Sequence, residues 1–541
     1  MRVATYASLA GESVTVEKVE HLLRDLIREE ASRQVSIDSI QKAVAEHFDV
    51  RLADMTSRRR PGLISTTPGT RPYGFTAYGT RRSLPRRRRM THHDLIVVGT
   101  GSGNRVIDDS FADLDVAIVE EEHRFGGTCL NVGCIPTKML SYTGEVVDTV
   151  GEAGRFDVRA ELGGMDWAGV RARVFDRLDP ISRDGRAGRI DTPWITVYTG
   201  HARFTGARTL QVGGETLTAD NIVVATGSRP VVPPPVADAG LPFETSDTIM
   251  RRDRAPRRLA VLGGGYIAAE LAHVFAAAGA EIVVIEQADT LLGGQDETVT
   301  GEFTALLAKR YDLRLGRAAT RVSGEPGALR ITLDDDTTVE ADTLLVAVGR
   351  APNGDRMELD AAGIDVDDAG RIVVDAHQRT TAEGVWALGD VSTPVPLKHV
   401  ANREADVVRH NLRHPDDLVS AGHDLVPSAI FTHPQIAAVG ATEQDLRDRG
   451  VDFRVGLVRY GDVAYGWAME DETGFCKVLV DPADGTILGA HIMGPQAPTL
   501  VQPLVLAATL GITARTLVDR PYWIHPALTE VVQQALLETV S

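Results

Sequence analysis

One local plan is written twice in this chain, and it constrains the fold more than any other feature. An apolar run at 95–98, preceded by Asp94, ends in Gly99-Thr-Gly101-Ser-Gly103-Asn104, and the next apolar run, 116–119, ends in Glu120. The run at 259–262 leads in the same way into Gly263-Gly-Gly265-Tyr266-Ile267-Ala268, and 282–285 ends in Glu286. A buried strand followed by Gly-x-Gly opening a helix lets backbone N–H groups close on a pyrophosphate at the positive helix end. An acid one strand later can accept hydrogen bonds from a ribose diol. Each copy also has a return strand closing on a glycine turn, IVVATGSRP ending at Pro230 and LLVAVGRAPN ending at Asn353. One Gly-x-Gly alone is a weak signal. Two copies with matched acids and matched return strands imply two dinucleotide-binding units of the Rossmann type, with Asn104 in the third-glycine place as the one departure.

Two such units in one chain bring two dinucleotides together, and hydride passing between a nicotinamide and a flavin is the usual reason. Between them in sequence lies GGTCLNVGCIPTK at 126–138. Cys129 and Cys134, five apart, can bridge only if the helix between them is distorted, and Gly133 permits that. In a compartment that keeps thiols reduced, a cysteine pair so close behind a nucleotide fingerprint reads as a redox disulfide rather than as two structural thiols. Cys476 stands alone and reads as a core residue.

These motifs together resemble those of the FAD-dependent pyridine nucleotide-disulfide oxidoreductases, the glutathione reductase and dihydrolipoamide dehydrogenase superfamily, over residues 93–541. The stretch VWALGD at 385–390 is similar to that family's flavin-ribitol motif, which assigns the first nucleotide unit to FAD and the second to the nicotinamide cofactor. The resemblance implies an α/β fold, with two Rossmann-like dinucleotide-binding domains and an α+β dimerisation domain behind a partly helical, partly disordered N-terminal leader. The expected boundaries are 1–90 for the leader, 91–240 with 350–420 for the FAD-binding domain, 241–349 for the NAD(P)-binding domain and 421–541 for the interface domain. Implied FAD contacts are Gly99, Gly101, Gly103, Glu120, Gly127, Thr128, Lys138, Ala202, Ala225, Thr226, Gly227, Asp390 and His399. Implied nicotinamide-nucleotide contacts are Gly263, Gly265, Tyr266, Ile267, Glu286 and Gly349. Cys129 would be the thiol that attacks substrate and Cys134 the charge-transfer thiol beside the flavin. Lys138 would sit near flavin N5, paired with Glu270, and Tyr266 would cover the nicotinamide pocket. His525-Pro-Ala-Leu-Thr-Glu530 matches the family's His/Glu pair, in which an imidazole suited to pH 7 protonates the departing thiolate. In the family that pair reaches across a two-fold axis, so a homodimer with shared sites is implied. No metal site is implied.

No cysteine follows Cys476, which disfavours the relatives that carry a second redox pair near the C-terminus. GTGSGN at 99–104, LKHVAN at 397–402, YGDVAYGWAMED at 460–471 and YWIHPAL at 522–528 resemble the mycothione reductase branch, which implies mycothiol disulfide as substrate. Dihydrolipoamide dehydrogenase shares the redox core and is the alternative. Phe431-Thr-His433-Pro434 and the aliphatic 500–512 read as core and interface. A free 2'-hydroxyl suits a carboxylate, whereas a 2'-phosphate needs cations. Glu286 is followed by QADTLLGGQDE, without Arg or Lys, so NADH is expected to be favoured over NADPH.

The net charge of -18 hides a split, because residues 1–90 carry 17 basic and 10 acidic side chains while the remainder is strongly acidic. That balance disfavours a general affinity for nucleic acid or anionic membrane. Apolar residues at helical spacing run through 14–54, and 55–90 is Arg-rich with a composition too polar to order itself. The stretch QVSIDSIQKAVAEHFDVRLADMTSRRR at 34–60 resembles the start of the DNA-binding domain of bacterial replication-initiator ATPases. It lacks the recognition helix, so a DNA-associated fusion directed by this leader is the lesser alternative, and Met90 followed by THHDLIVVG reads as a natural enzyme start. The apolar segment 500–512 is broken by Gln502 and Pro503 and is shorter than the ~20 residues of a membrane span. With only three cysteines a disulfide-scaffolded secreted protein is not expected, and a cytoplasmic location is.

Overall fold

The computed structural model describes residues 90–121 and 124–540. The helical segment expected at 14–54, the Arg-rich stretch before Met90 and the replication-initiator resemblance at 34–60 lie outside the described residues.

The first nucleotide unit is built on β1 (Met90–Val98), β2 (Val116–Glu120), β3 (Ile195–Thr199), β4 (Ala202–Gly206), β5 (Thr209–Val212) and β6 (Glu215–Val224). They form one sheet in the order β3-β2-β1-β6-β5-β4, and the strand Val385–Ala387 adds in parallel to β6. β1 lies parallel between β2 and β6, with Ile96 opposite both Ala117 and Ile222. Residues 95–98 are all buried, the continuous apolar run that a parallel strand covered on both faces requires.

The second unit contains β7 (Arg258–Leu262), β8 (Glu281–Ile285), β9 (Asp312–Arg314), β10 (Ala319–Glu325), β11 (Ala328–Leu333), β12 (Thr338–Ala341) and β13 (Thr343–Val346). The parallel sheet runs β9-β8-β7-β13, and β10 to β12 form a separate antiparallel meander. The two units share one turn geometry. Gly99 has φ +100°, and a Cβ there would lie 2.3 Å from the Ala225 carbonyl oxygen; Gly263 has φ +111°, and its Cβ would lie 2.4 Å from the Ala347 oxygen. Only glycine satisfies both the backbone angle and the contact with the return strand.

The two turns lead into different structures. Gly265 opens a 12-residue α-helix, whereas the first turn runs only into short 3-10 turns at Gly103–Arg105 and Asp109–Phe111. The α-helix expected after Gly99-Thr-Gly101 is therefore absent, and a side chain from a later helix braces the turns that stand in its place. Arg189 Nη2 donates to the carbonyls of Asn104 (2.9 Å) and Ile107 (3.0 Å), and its Nε donates to Asn104 Oδ1 (2.8 Å). Carbonyls that have no α-helical N–H partner here are thereby satisfied by a guanidinium. Asn104, the departure from the glycine pattern, is its anchor.

Three helices complete the first unit's early part: α1 (Gly127–Asn131), α2 (Cys134–Gly151) and α3 (Trp167–Ile190), which carries Arg189 in its last turn. The second unit contributes α4 (Tyr266–Ala277) and α5 (Glu297–Leu307), and α6 (Lys398–Arg413) follows the chain's return. The C-terminal part packs α7 (Glu443–Asp448) and α8 (Glu530–Val540) on a five-stranded antiparallel sheet. A buried ionic cluster joins this part to the second unit. Lys477 Nζ lies 2.7 Å from Asp296 Oδ1 and 2.5 Å from Glu443 Oε2, with the Lys477 and Asp296 side chains 1% and 0% exposed. Asp296 also accepts from the N–H groups of Thr298 and Glu443, so one carboxylate caps α5 and α7 together. Among the described residues no helix is long and apolar enough to cross a membrane.

Candidate active site

The first glycine turn, the redox segment and the start of α6 enclose a cavity of about 510 Å³. From the turn it is lined by Gly99 and Gly101, from the end of β2 by Glu120, and from the redox segment by Gly127, Thr128, Cys129 and Cys134. The return strand contributes Ala225, Thr226 and Gly227, joined by Ala202 and Asp390. Of the other residues expected against FAD, Gly103 is buried against Ala225, and Lys138 faces Glu270. His399 is turned away, its Nε2 lying 2.9 Å from the Pro427 carbonyl, and Lys398 lines the cavity in its place. Successive residues on a helix are rotated by about 100° around its axis, and here that rotation turns Lys398 to the cavity and His399 to the Pro427 carbonyl.

The cavity's two ends are held in register by small groups. Gly127, at φ +70°, approaches so closely that a Cβ would stand 2.5 Å from the Gly101 Cα, so the redox segment rests directly on the glycine turn. Thr100 Oγ1 accepts from the Gly126 N–H at 2.9 Å and donates to Glu120. Glu120 also accepts from the Thr100 N–H (3.0 Å) and the Glu121 N–H (3.0 Å). At the equivalent place in the second unit, Glu286 accepts from the Gly264 N–H and, at 2.8 Å, from the Ala288 N–H. Both acids thus sit at the mouths of their glycine turns. Glycine backbone at the turn, the Glu120 carboxylate beside it and a sulfur pair lining the same cavity are groups that fit an FAD molecule.

The cysteines occupy the ends of a broken helix. Cys129 lies in α1 and Cys134 opens α2, with Val132 and Gly133 between them outside helical geometry. Asn131 holds the break by donating through Nδ2 to the carbonyls of Gly127 (2.9 Å) and Phe125 (3.2 Å). The hydrogen bond from Cys129 lowers the Cys134 thiol from 9.0 to about 7; burial opposes this, and the Lys138 ammonium assists it. The same hydrogen bond, with burial, pushes Cys129 up. The pair therefore keeps its negative charge on Cys134. Burial lowers the Lys398 ammonium, against the pull of the two sulfurs, and its Nζ donates to Ser102 Oγ at 2.8 Å.

Three parts of the molecule converge on Glu270 of α4. Lys138 of α2 places Nζ 2.6 Å from each carboxylate oxygen, and the Phe431 N–H donates to Oε1 at 2.9 Å. The Lys138 ammonium also lies 4.9 Å from the Phe431 ring centroid. Phe431, expected only as core or interface, closes this arrangement. His433 pairs with Glu152 at 3.0 Å, and its ring stacks on that of His273. Cys476 is fully buried in the C-terminal sheet, where burial pushes its thiol up.

Tyr266 is the first residue of α4, beside Gly265 and Ile267, and is 44% exposed; Gly349 lies at the end of the return strand, accepting from Val231 N–H. His525 and Glu530 are brought together at the start of α8, which Glu530 opens, with Nδ1 2.8 Å from Oε1 and Glu530 also accepting from the Ala527 N–H. The hydrogen bond from His525 holds the Glu530 carboxyl below its usual range. His525 is 72% exposed, does not line the cavity of its own chain, and keeps Nε2 outside the pair. Lys398 and Arg189 were not singled out from sequence, and Phe431 was read there only as core or interface, because each acts on a group far away along the chain. The only local hint was the unusual Asn104.

A family model described as pyridine nucleotide-disulphide oxidoreductase matches residues 93–405, and the corresponding dimerisation-domain model matches residues 426–536. A mycothione reductase of Mycobacterium tuberculosis is 46% identical over 458 residues, 83% of this chain and 99% of that protein. A dihydrolipoyl dehydrogenase of Haloferax volcanii is 32% identical over 82% of this chain and 96% of its own length. Among solved structures, the Cu(II) complex of the HOCl-induced flavoprotein disulfide reductase RclA from Escherichia coli matches with a TM-score of 0.74 and 25% identity, covering 83% of this chain and 99% of that one.

Proposed function

The chain belongs to the pyridine nucleotide-disulphide oxidoreductase family, and from that premise we propose that it is a homodimer that reduces mycothiol disulfide to two mycothiol molecules at the expense of NAD(P)H. The observation that carries the choice of substrate is the 46% identity to a mycothione reductase along nearly all of that protein, against 32% for the dihydrolipoyl dehydrogenase. A compartment that keeps thiols reduced, the cytoplasm, suits a dithiol that must cycle.

FAD, when bound, would pass the electron pair from the nicotinamide to the cysteine pair. Gly99, Gly101 and Glu120 would hold its pyrophosphate and ribose, and Gly263, Gly265 and Glu286 would do the same for the nicotinamide nucleotide. In the reduced pair the shared proton passes from Cys129 to Cys134, and the Cys129 thiolate attacks one sulfur of the substrate, whose S–S bond breaks as the first mycothiol leaves. Cys134 then attacks Cys129, releases the second mycothiol and re-forms the disulfide. Two protons are needed. One is shared between the two sulfurs, and the other comes from His525 of the partner subunit, whose imidazole is oriented by Glu530. Lys138, held by Glu270, keeps a positive charge near Cys134 through the cycle.

Glu286 favours a second reading, dihydrolipoamide dehydrogenase, since a carboxylate suits NAD. Purified protein should be assayed with NADH or NADPH plus mycothiol disulfide, and with NAD plus dihydrolipoamide. Rapid turnover of the first substrate and slow turnover of the second are expected, and the reverse ranking would overturn the proposal.

A further inference from the structure

The segment directly after Glu286 holds no cation, yet the fold delivers two from further along the chain. β9 lies parallel to β8 with Arg314 opposite Ile285. The Glu286 N–H donates to the Arg314 carbonyl at 3.0 Å, and the Arg317 N–H donates to the Glu286 carbonyl at 3.0 Å. The acid at the ribose position is thus bracketed by two arginines. Arg314 is committed to Asp312 on its own strand, with Nε 2.9 Å from Oδ1. Arg317 donates through Nε to Asp335 Oδ2 at 2.7 Å and through Nη1 to the Gly316 carbonyl at 2.9 Å.

Asp335 is a fixed acceptor. It lies in the turn between β11 and β12 and accepts from the N–H (3.1 Å) and hydroxyl (2.6 Å) of Thr337. Arg317 and Asp335 are 43% and 34% exposed, so their pair is accessible to a ligand. Asp289 adds a further carboxylate here, its Oδ1 standing 3.0 Å from where a Cβ on Gly316 would be.

We propose that Arg317 is the residue that reads the 2'-phosphate of NADPH and that Asp335 restrains it, so that the Arg317–Asp335 pair sets how far this chain favours NADH. This rests on assigning the second glycine turn to the nicotinamide nucleotide. A ribose 2'-hydroxyl donates to Glu286 and needs no cation. A 2'-phosphate is repelled by Glu286 and requires a guanidinium, whose planar fork matches phosphate oxygens. Arg317 can supply it only by leaving Asp335, and an exposed ion pair is weak enough to be exchanged. With Glu286, Asp289, Asp312 and Asp335 around two arginines, the local balance is negative and NADH stays ahead.

The test compares binding of adenosine 2',5'-bisphosphate and adenosine 5'-monophosphate to the FAD-loaded enzyme by calorimetry, with the NADPH-to-NADH ratio of kcat/KM measured alongside. Arg317→Ala should lower the bisphosphate-to-monophosphate affinity ratio, and the kcat/KM ratio with it, by about tenfold, the loss expected for a hydrogen bond to a charged group. Asp335→Asn should raise both ratios, and Arg317→Lys should fall between wild type and Arg317→Ala. Ratios that move less than about twofold in Arg317→Ala, or that fall in Asp335→Asn, overturn the proposal. If neither adenosine nucleotide binds the wild-type enzyme, the assignment of the second glycine turn fails and the proposal falls with it.

Discussion

Two sulfurs five residues apart carry opposite tendencies because their surroundings differ. Cys134 is the acceptor of a hydrogen bond from Cys129 and feels the Lys138 ammonium, whereas Cys129 is the donor. A thiol lowered from 9.0 to about 7 is ionised above that value, so between about 7 and 9 the reduced pair holds a thiolate where an ordinary cysteine is still protonated. Thiolate absorbance of the reduced protein should therefore rise with a midpoint near about 7 and be lost on acidification through that value. Lys138→Met should move the midpoint upward, because the cation is removed while the Glu270 carboxylate remains. Cys129→Ser should keep its flavin and lose turnover; full activity in that variant would sink the mechanism. The motif residues Cys129, Cys134, Glu120 and Glu286 were legible because each belongs to a short segment whose spacing has a chemical reason. Lys398 was not, since only the phase of α6 decides that it, and not His399, faces the cavity. Arg317 was hidden for a different reason: it reaches Glu286 through the pairing of β8 with β9, which no local pattern reports.

Among the secondary elements, the doubled strand-turn plan fixed where the parallel strands of both sheets would form, and buried runs such as 95–98 and 282–285 fall on inner strands. What local pattern could not reveal is the loss of the first α-helix. The segment after Gly103 has an ordinary length for a helix, and the turns that replace it are braced by Arg189, presented by the last turn of α3. That guanidinium sits where a cation also complements the C-terminal end of the α3 dipole. Arg189→Met should leave the carbonyls of Asn104 and Ile107 and the Asn104 side chain without their donor, at a cost of about 1–3 kcal/mol. The loss would be read as a lower denaturation midpoint, with earlier release of flavin fluorescence because the same segment continues the glycine turn. An unchanged midpoint would show that water replaces the guanidinium without penalty.

For the molecule as a whole, stability depends on contacts that tie separate units together. The Lys477–Asp296–Glu443 cluster is the clearest, because two of its members are almost wholly buried and one carboxylate caps two helices from different parts of the chain. Removing one partner leaves an uncompensated buried charge, so Lys477→Met should destabilise the protein by about 3–5 kcal/mol, measured by chemical denaturation. Asp296 and Lys477 are too far apart in sequence for their pairing to be read from it. The position of His525 has a consequence of another kind. It is exposed and absent from the lining of its own chain's cavity, and under the proposed dimer a site completed by the neighbouring chain would obey the arithmetic of complementation. Cys129→Ser chains and His525→Ala chains should each be inactive as pure dimers. Unfolded together and reassembled at random, they should regain roughly a quarter of wild-type turnover, because each mixed dimer rebuilds one intact site out of two broken parents.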